Sequence, residues 1–474
     1  MTLNAELLSR FQFAFTIGYH ILWPAYSIGI AGFIVLLNAL WLRTRRPVYR
    51  DLLRFWIHLF ALGFAMGVVT GIVLSYEIGT NWSVFAERTS NILGPFFTYE
   101  VLSAFFLEAG FIGIMLFGMG RVSERFHLFA CAMVALGTVF SAFWILAANS
   151  WMQTPAGFAL GADGRFQVTS WWNAIFTPSL PYRLAHMVLA AYITGTYVVI
   201  GVSGFYLWQR RHLEFAKAGF SIAMWIAIVL VPLQLIAGDE HGRNTLDYQP
   251  IKVAAMEGDW DTKDGQPLVL FAWPDQSAEK NLFPIEVPKL GSLILTHSWT
   301  GRIAGLKSVP PQDQPPVDIV FFAFRIMVGV WFALFAVAAL GAFLRWRGRL
   351  YDTTWFHAVA ACSSPLGFIA ILAGWTVTEV GRQPYVVYGQ LRTADAVAPV
   401  AAQAVGTSLA LFILVYLVLL AAFFFYAAKT VFEGPHVAHP ADEPETLRPG
   451  IATAPARGAR IATMPAPPAP AGGD

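Results

Sequence analysis

Apolar residues in this chain gather into runs of about twenty or more, the length that crosses the hydrocarbon core of a bilayer. Nine such runs can be read, at roughly 15–41, 54–76, 95–120, 125–148, 185–208, 218–238, 318–344, 357–379 and 405–430. Two longer polar stretches interrupt or follow them. Residues 239–317 mix charges with aromatic residues and read as a partly folded loop, whereas 436–474 are rich in Pro, Ala and Gly and read as a disordered tail. The pattern predicts an all-α integral membrane protein with about nine transmembrane helices. Helices 1–6 occupy residues 1–238, the loop 239–317, helices 7–9 residues 318–435, and the tail 436–474. No basic segment precedes the first run and no small-residue cleavage site follows it, so it is read as a retained helix rather than a signal peptide.

The basic residues orient the bundle. Arg43, Arg45, Arg46, Arg50 and Arg54 lie between runs one and two, and Arg121 and Arg125 between three and four. Arg210, Arg211 and Lys217 lie between five and six, and Arg345, Arg347 and Arg349 between seven and eight. Lys and Arg concentrate on the cytoplasmic side of membrane proteins. The N-terminus is therefore expected outside, the C-terminus and tail in the cytoplasm, and loop 239–317 outside.

Composition narrows the chemistry. The chain is 57% hydrophobic and 13% charged, against about a quarter charged in soluble domains. A net charge of +2 gives no reason to expect nucleic acid. Cys131 and Cys362 are the two cysteines, too few for an iron–sulfur cluster and no obvious disulfide pair. With no P-loop, dinucleotide fingerprint or internal repeat, neither ATP-driven work nor a Rossmann domain is expected.

What remains is a set of polar groups inside apolar runs, where an ionisable side chain costs several kcal/mol unless paired, ligated or hydrated. His20, Glu100, His186 and Met327 fall early in runs one, three, five and seven. Ser141, Asn149, Asp239 and Glu379 fall at or near the ends of runs four, six and eight. With alternating direction, all converge on the side of the long loop. Glu108 follows Glu100 by eight residues, about 12 Å deeper on a regular helix. Two His, a Met and several carboxylates suit axial haem ligation and a proton route. Each has a bland alternative: a lone His near a helix end is more often hydrogen-bonded than ligating, and most membrane Met residues simply pack. His58, His127 and His212, at helix ends or in a basic loop, are read that way. Arg325, mid-run, needs an anionic partner, either a haem propionate or a buried carboxylate.

Longer strings go further. RFQFAFTIGYH at 10–20, GTNW at 79–82, YEVLSAFFLE at 99–108 and SAFWILAANSWMQTP at 141–155 are followed by GDEHG at 238–242 and KVAAMEGDW at 252–260. FAFRIMV at 322–328 and GWTVTEVGRQP at 374–384 complete the series. Together they resemble subunit I of cytochrome bd-type quinol oxidases over nearly all of residues 1–435. The resemblance implies nine helices and three haems near the outer face: a low-spin haem b, a high-spin haem b, and haem d or a further haem b in its place. It implies His186 and Met327 as ligands of the low-spin haem, and His20 and Glu379 as ligands of the two high-spin haems, leaving open which holds which. Arg325, and Arg382 and Trp375 of the GWTVTEVGRQP string, are implied cofactor neighbours. Glu100 would lie near the high-spin haems, with Glu108 and Ser141 on the proton route. The loop would bind quinol, with Lys252 and Glu257 as contacts. Only residues 258–320 separate Glu257 from Phe321, so the chain resembles the short-loop members, which include the cyanide-insensitive oxidases.

The implied activity is quinol:dioxygen oxidoreduction in the bacterial cytoplasmic (inner) membrane. Ubiquinol or menaquinol would be oxidised outside and dioxygen reduced to water with cytoplasmic protons, generating a membrane potential. The implied partners are oxidase subunit II in a heterodimer, a small single-helix accessory subunit in some members, and membrane lipid. Two other classes compete. A transmembrane dihaem electron-transfer cytochrome without oxygen reduction leaves the carboxylate pair and the loop unexplained. A proton-coupled secondary transporter leaves His186 with Met327 unexplained.

Overall fold

The structure is a computed structural model that describes residues 4–435. Among these, nine helices are long and apolar enough to cross a membrane. They are α1 (Ala5–Thr44), α2 (Pro47–Asn81), α3 (Ser83–Phe117), α4 (Glu124–Gln153), α5 (Leu180–Trp208), α6 (Leu213–Tyr248), α8 (Val317–Trp346), α9 (Thr354–Val380) and α10 (Ala402–Glu433), with the short α7 (Pro250–Glu257) between α6 and α8. The helices outrun the apolar windows at both ends. A helix of 40 residues such as α1 is about 60 Å long at 1.5 Å per residue, about twice the hydrocarbon thickness, so its polar ends continue beyond the lipid. Likewise α6 runs past Gly238 to Tyr248, and the long segment leaves the bundle at Gln249. The tail expected over 436–474 lies outside the described residues.

Local chemistry fixes several ends. Asn4 caps α1 by accepting from the Leu7 amide, and Ser123 caps α4 by accepting from the Phe126 amide. Pro365 falls at a break in α9, after a turn at Ser363–Ser364. Within α3, residues Glu100–Phe105 form a π-helical stretch, a local widening that recurs at functional sites.

The helices pack closely where glycines allow it. Gly29 of α1 faces Gly195 of α5, and a Cβ on either would come within 3 Å of the other's backbone. A large apolar core runs through α1, α2, α5, α6 and α8, including Trp56, Phe60, Tyr197 and Phe220, all buried. The segment 249–316 carries α7 and an antiparallel hairpin, β1 (Leu268–Asp275) with β2 (Lys280–Val287). Its inner face, with Val253, Ala254 and Ala255 fully buried, lies against α8 through Val317, Val320 and Phe321.

Candidate redox and proton site

The C-terminal half of α9 gathers the candidate residues. Leu372 lies 3.8 Å from where a Cβ on Gly18 of α1 would stand, two residues from His20. Gly374 accommodates Met327 of α8, whose sulfur would be 2.8 Å from an added Cβ. Five residues on, Glu379 meets α4: its Oε1 accepts from Asn149 Nδ2 at 2.8 Å and from Gln153 Nε2 at 3.4 Å. Its Oε2 takes an ion pair with Arg382 at 2.5 Å. Asn149 Oδ1 in turn accepts from Arg183 Nη1 at 3.2 Å.

His186 lies one turn beyond Arg183 on α5. Gln234 Nε2 stands 3.3 Å from its Nδ1 and donates to its backbone carbonyl at 3.2 Å. The ring of His241 sits 5.3 Å away, edge to face. Trp331 Nε1 donates to the Val231 carbonyl at 3.0 Å, tying α8 to α6. Met327 is one turn back from Trp331, and Gln234 three residues on from Val231. Because the two helices run in opposite directions, Met327 and the His186–Gln234 pair stand at one level. His20 Nδ1 bonds Thr70 Oγ1 of α2 at 2.8 Å.

The two carboxylates of α3 both face α4. Ser141 Oγ donates to Glu100 Oε1 at 2.8 Å. Glu108 is buried against Gly137, where an added Cβ would lie 2.5 Å from Glu108 Cγ. Ser141 and Gly137 are four residues apart on α4, about 6 Å along its axis. The two side chains therefore reach α4 at points one turn apart, with the π stretch of α3 between them.

The loop divides its two expected contacts. Lys252 is buried, and its Nζ donates to Gln153 Oε1 at 2.5 Å and Gln249 Oε1 at 2.6 Å. Burial, then the charges of Arg183 and Arg382, hold this ammonium well below its usual range. Glu257 lies at the far end of α7, buried, 3.6 Å from the guanidinium of Arg325. Burial pushes its carboxyl up, against the opposing pull of Arg325. Asp259 beside it is pushed well up by burial and then by Glu257. Arg325 also donates to the carbonyls of Met256, Glu257 and Val269, and packs over the Phe321 ring. Its buried carboxylate partner is therefore Glu257.

Comparison with known proteins identifies the family. The profile of the family described as cytochrome bd terminal oxidase subunit I matches residues 8–435. The chain is 33% identical to cytochrome bd ubiquinol oxidase subunit 1 of Bacillus subtilis (strain 168), over 90% of this chain and 94% of that one. It is 32% identical to cytochrome bd-II ubiquinol oxidase subunit 1 of Escherichia coli (strain K12), over 82% and 89%. The solved structure of bd oxidase from Geobacillus thermodenitrificans superposes with a TM-score of 0.85 at 29% identity, covering 91% of this chain and 99% of that one. The chain belongs to the cytochrome bd terminal oxidase subunit I family.

Membership in the bd oxidase family implies haem, and the residues present fit it. His20, His186, Met327 and Glu379 lie inside the bundle yet none is fully buried, so each borders open space. Arg183 and Arg382 set two buried guanidinium groups against the one carboxylate of Glu379, with the Lys252 amine behind Gln153. Arg183 Nε, Arg382 Nε and Nη1, Trp375 Nε1 and Gln234 Oε1 are buried without a hydrogen-bond partner. A surplus of buried positive charge with unused N–H groups suits the propionates of haem. Glu379 also keeps a free lone pair on its oxygens for a metal.

Several members of this network were not singled out from the sequence. Arg183, Gln153, Gln234 and Gln249 carry no short-range signal, since only the fold brings them to Glu379, Lys252 and His186. Glu77 was legible in principle: it is an ionisable residue directly after run two, just before GTNW, and it is buried on α2 with Oε2 accepting from Thr16 at 2.5 Å. His127, read as satisfied, bonds Asn38 at 2.9 Å and the Met115 carbonyl at 3.1 Å. Asp239 lies 3.5 Å from His297 of the loop segment.

Proposed function

We propose that this chain is the haem-bearing subunit of a terminal respiratory oxidase that takes electrons from quinol at the outer face and reduces dioxygen to water. The observation that carries this reading is the buried cationic wall of Arg183 and Arg382 around Glu379, next to a folded loop that holds a second buried carboxylate. When bound, the haems would supply the electron path and the iron at which oxygen reacts. His186 and Met327 would together hold the low-spin haem, which would supply electron transfer alone. His20 and Glu379 would each give one ligand to a high-spin haem, of type d or b. Arg183, Arg382 and Trp375 would meet propionates or the porphyrin edge.

Glu257 accepts a quinol hydroxyl proton as the general base, because it is a buried loop carboxylate whose Oε2 accepts no hydrogen bond. Arg325 holds that carboxylate in place. Lys252, the other expected quinol contact, lies near the start of the same short helix, with its ammonium on Gln153 and Gln249. Glu108, Ser141 and Glu100 pass protons inward from the cytoplasmic side, so oxygen reduction charges the membrane. The basic ends of α1, α3, α5 and α8 support a cytoplasmic placement of that side. The chain works in the bacterial inner membrane with oxidase subunit II, as the relatives' designation as subunit 1 supports, and a small accessory subunit can join them.

The test uses two electron donors on purified oxidase. Glu257→Ala should lose about tenfold or more of quinol-driven oxygen uptake and keep uptake driven by an artificial one-electron donor. Equal loss with both donors would assign Glu257 a structural role. Absence of oxygen-reactive haem bands in the wild type would favour the electron-transfer cytochrome instead.

A further inference from the structure

The seam between α1 and α2 holds a candidate iron ligand by more than packing. Three glycines one turn apart on α2 receive three aromatic side chains of α1. A Cβ on Gly63 would lie 2.4 Å from the Tyr26 ring, one on Gly67 3.4 Å from Trp23 Cβ, and one on Gly71 3.3 Å from His20 Cε1. With no side chains of their own, these glycines let the two helices approach closely. One turn before His20, Thr16 of α1 bonds Glu77 of α2 at 2.5 Å. The register of the two helices is thus set on both sides of His20, and the edge of its ring lies against α2.

The residue before Gly71 is Thr70, which is fully buried. Its Oγ1 stands 2.8 Å from His20 Nδ1. Which of the two gives the proton follows from the other bonds of the hydroxyl. A threonine hydroxyl has one proton and two lone pairs. Thr70 Oγ1 lies 2.8 Å from the Met66 carbonyl oxygen and 3.3 Å from that of Gly67, one turn back on α2. Carbonyls only accept, so the hydroxyl proton is engaged there. What Oγ1 turns to His20 is a lone pair, and Nδ1 must supply the proton. In a neutral imidazole Nε2 is then bare. Among the described residues Nε2 makes no hydrogen bond, and the His20 side chain is half-buried.

We propose that Thr70 is a positioning residue that presents His20 to iron through Nε2. Its oxygen fixes the tautomer that leaves Nε2 free. It also fixes the ring, because a half-turn about the Cβ–Cγ bond would put Cδ2, a carbon, where Oγ1 now accepts from Nδ1. By drawing on the Nδ1 proton it makes Nε2 a stronger donor. This rests on the reading of His20 as a ligand of a high-spin haem, so the experiment tests the two separately.

Thr70→Val keeps the shape and removes the oxygen, whereas Thr70→Ser keeps the oxygen and removes a methyl. Both are compared with His20→Ala in the assembled oxidase, by haem extraction and by redox titration of the haem bands. His20→Ala should lose one high-spin haem; full haem content there would overturn the ligand reading itself. Given that loss, Thr70→Val should raise the midpoint potential of that haem, because a less basic imidazole stabilises ferric iron less. It should also pass that haem to excess apomyoglobin about tenfold faster, since losing the outer partner of a ligating His costs about 10–100-fold in affinity. Thr70→Ser should keep the wild-type potential and transfer rate. An unchanged potential in Thr70→Val would overturn the proposal. Equal changes in both Thr70 variants would overturn it too, because the methyl and not the oxygen would then matter. If Thr70→Val assembles without that haem, its retention in Thr70→Ser supports the proposal and its loss from both overturns it.

Discussion

Two of the places where the molecule encloses acidic groups surround them in opposite ways. At the α4–α9 junction, Glu379 receives Asn149, Gln153 and Arg382, with Arg183 and Lys252 one contact further out. Along the α3–α4 seam, Glu100 receives a single neutral hydroxyl from Ser141, and Glu108 packs against Gly137 with no ion pair to a cation among the described residues. The first setting has more positive charge than its own carboxylate can balance. It fixes that carboxylate in one orientation and calls for a further anion. The second lacks positive charge, and an ionised carboxylate there is costly unless water reaches it. A fixed, ionised carboxylate suits a metal. A carboxylate with one neutral partner, near a second like it, suits the carriage of protons.

The largest effect should come from breaking the cationic side. Arg382 is buried, and among the described residues its guanidinium is the one cation directly on Glu379. Arg382→Leu leaves that carboxylate buried with neutral partners only, and breaking a buried pair from one side costs about 3–5 kcal/mol. The variant should lose most of a high-spin haem and melt at lower temperature, as read by haem extraction and thermal unfolding. Full haem content in Arg382→Leu would mean that the cations do not define the site. Within the same region, Met327→Leu should be gentler. It keeps the volume beside Gly374 but removes the sulfur, so the low-spin band should convert to high spin while the other bands persist. An unchanged low-spin band would remove Met327 from the ligand set.

How far the sequence reveals each side follows from how each is built. The nine helices are legible because a span must be apolar for about twenty residues wherever it packs. His20, His186 and Glu379 are legible because an ionisable residue stands out against such a run. The cationic wall is not. Arg183 sits at the start of α5, where a basic residue can equally meet water or lipid headgroups, and only the fold turns it towards Asn149. Lys252 is misleading in another way: as part of a polar loop it looks accessible, whereas α7 presses it against Gln153 and Gly381. The acidic seam is legible in its residues but not in its local backbone. A regular helix puts Glu100 and Glu108 about 12 Å apart in depth, and nothing in the sequence announces the π stretch at Glu100–Phe105.

On the acidic side, Glu108→Leu should leave all haems in place and reducible by quinol, since no candidate ligand touches Glu108. Turnover should fall about a hundredfold if Glu108 is an obligatory carrier, because general acid–base groups contribute about 10²–10⁴. Oxygen uptake and membrane potential in reconstituted vesicles read this directly. Full uptake with full potential would move the proton route elsewhere, for instance to a path through the partner subunit.

The smallest effect probes the seam itself. Gly137 is the position where α4 lets the Glu108 side chain lie flat. A methyl there would stand 2.5 Å from Glu108 Cγ and 3.3 Å from the Ala104 carbonyl oxygen. The first clash can be relieved by swinging Glu108 away, and the second only by parting the helices slightly. Gly137→Ala should therefore cost about 1–3 kcal/mol, the range for overfilling a packed interior, and lower turnover several-fold without changing haem content. The cause can be isolated with a second substitution. Glu108→Ala removes Cγ, so the added methyl then meets only the Ala104 carbonyl. In that background Gly137→Ala should cost clearly less stability than in the wild type, a coupling that thermal unfolding of the four proteins can measure. Equal costs in both backgrounds would mean that Gly137 serves helix contact alone, and that Glu108 is held by something other than the space this glycine leaves.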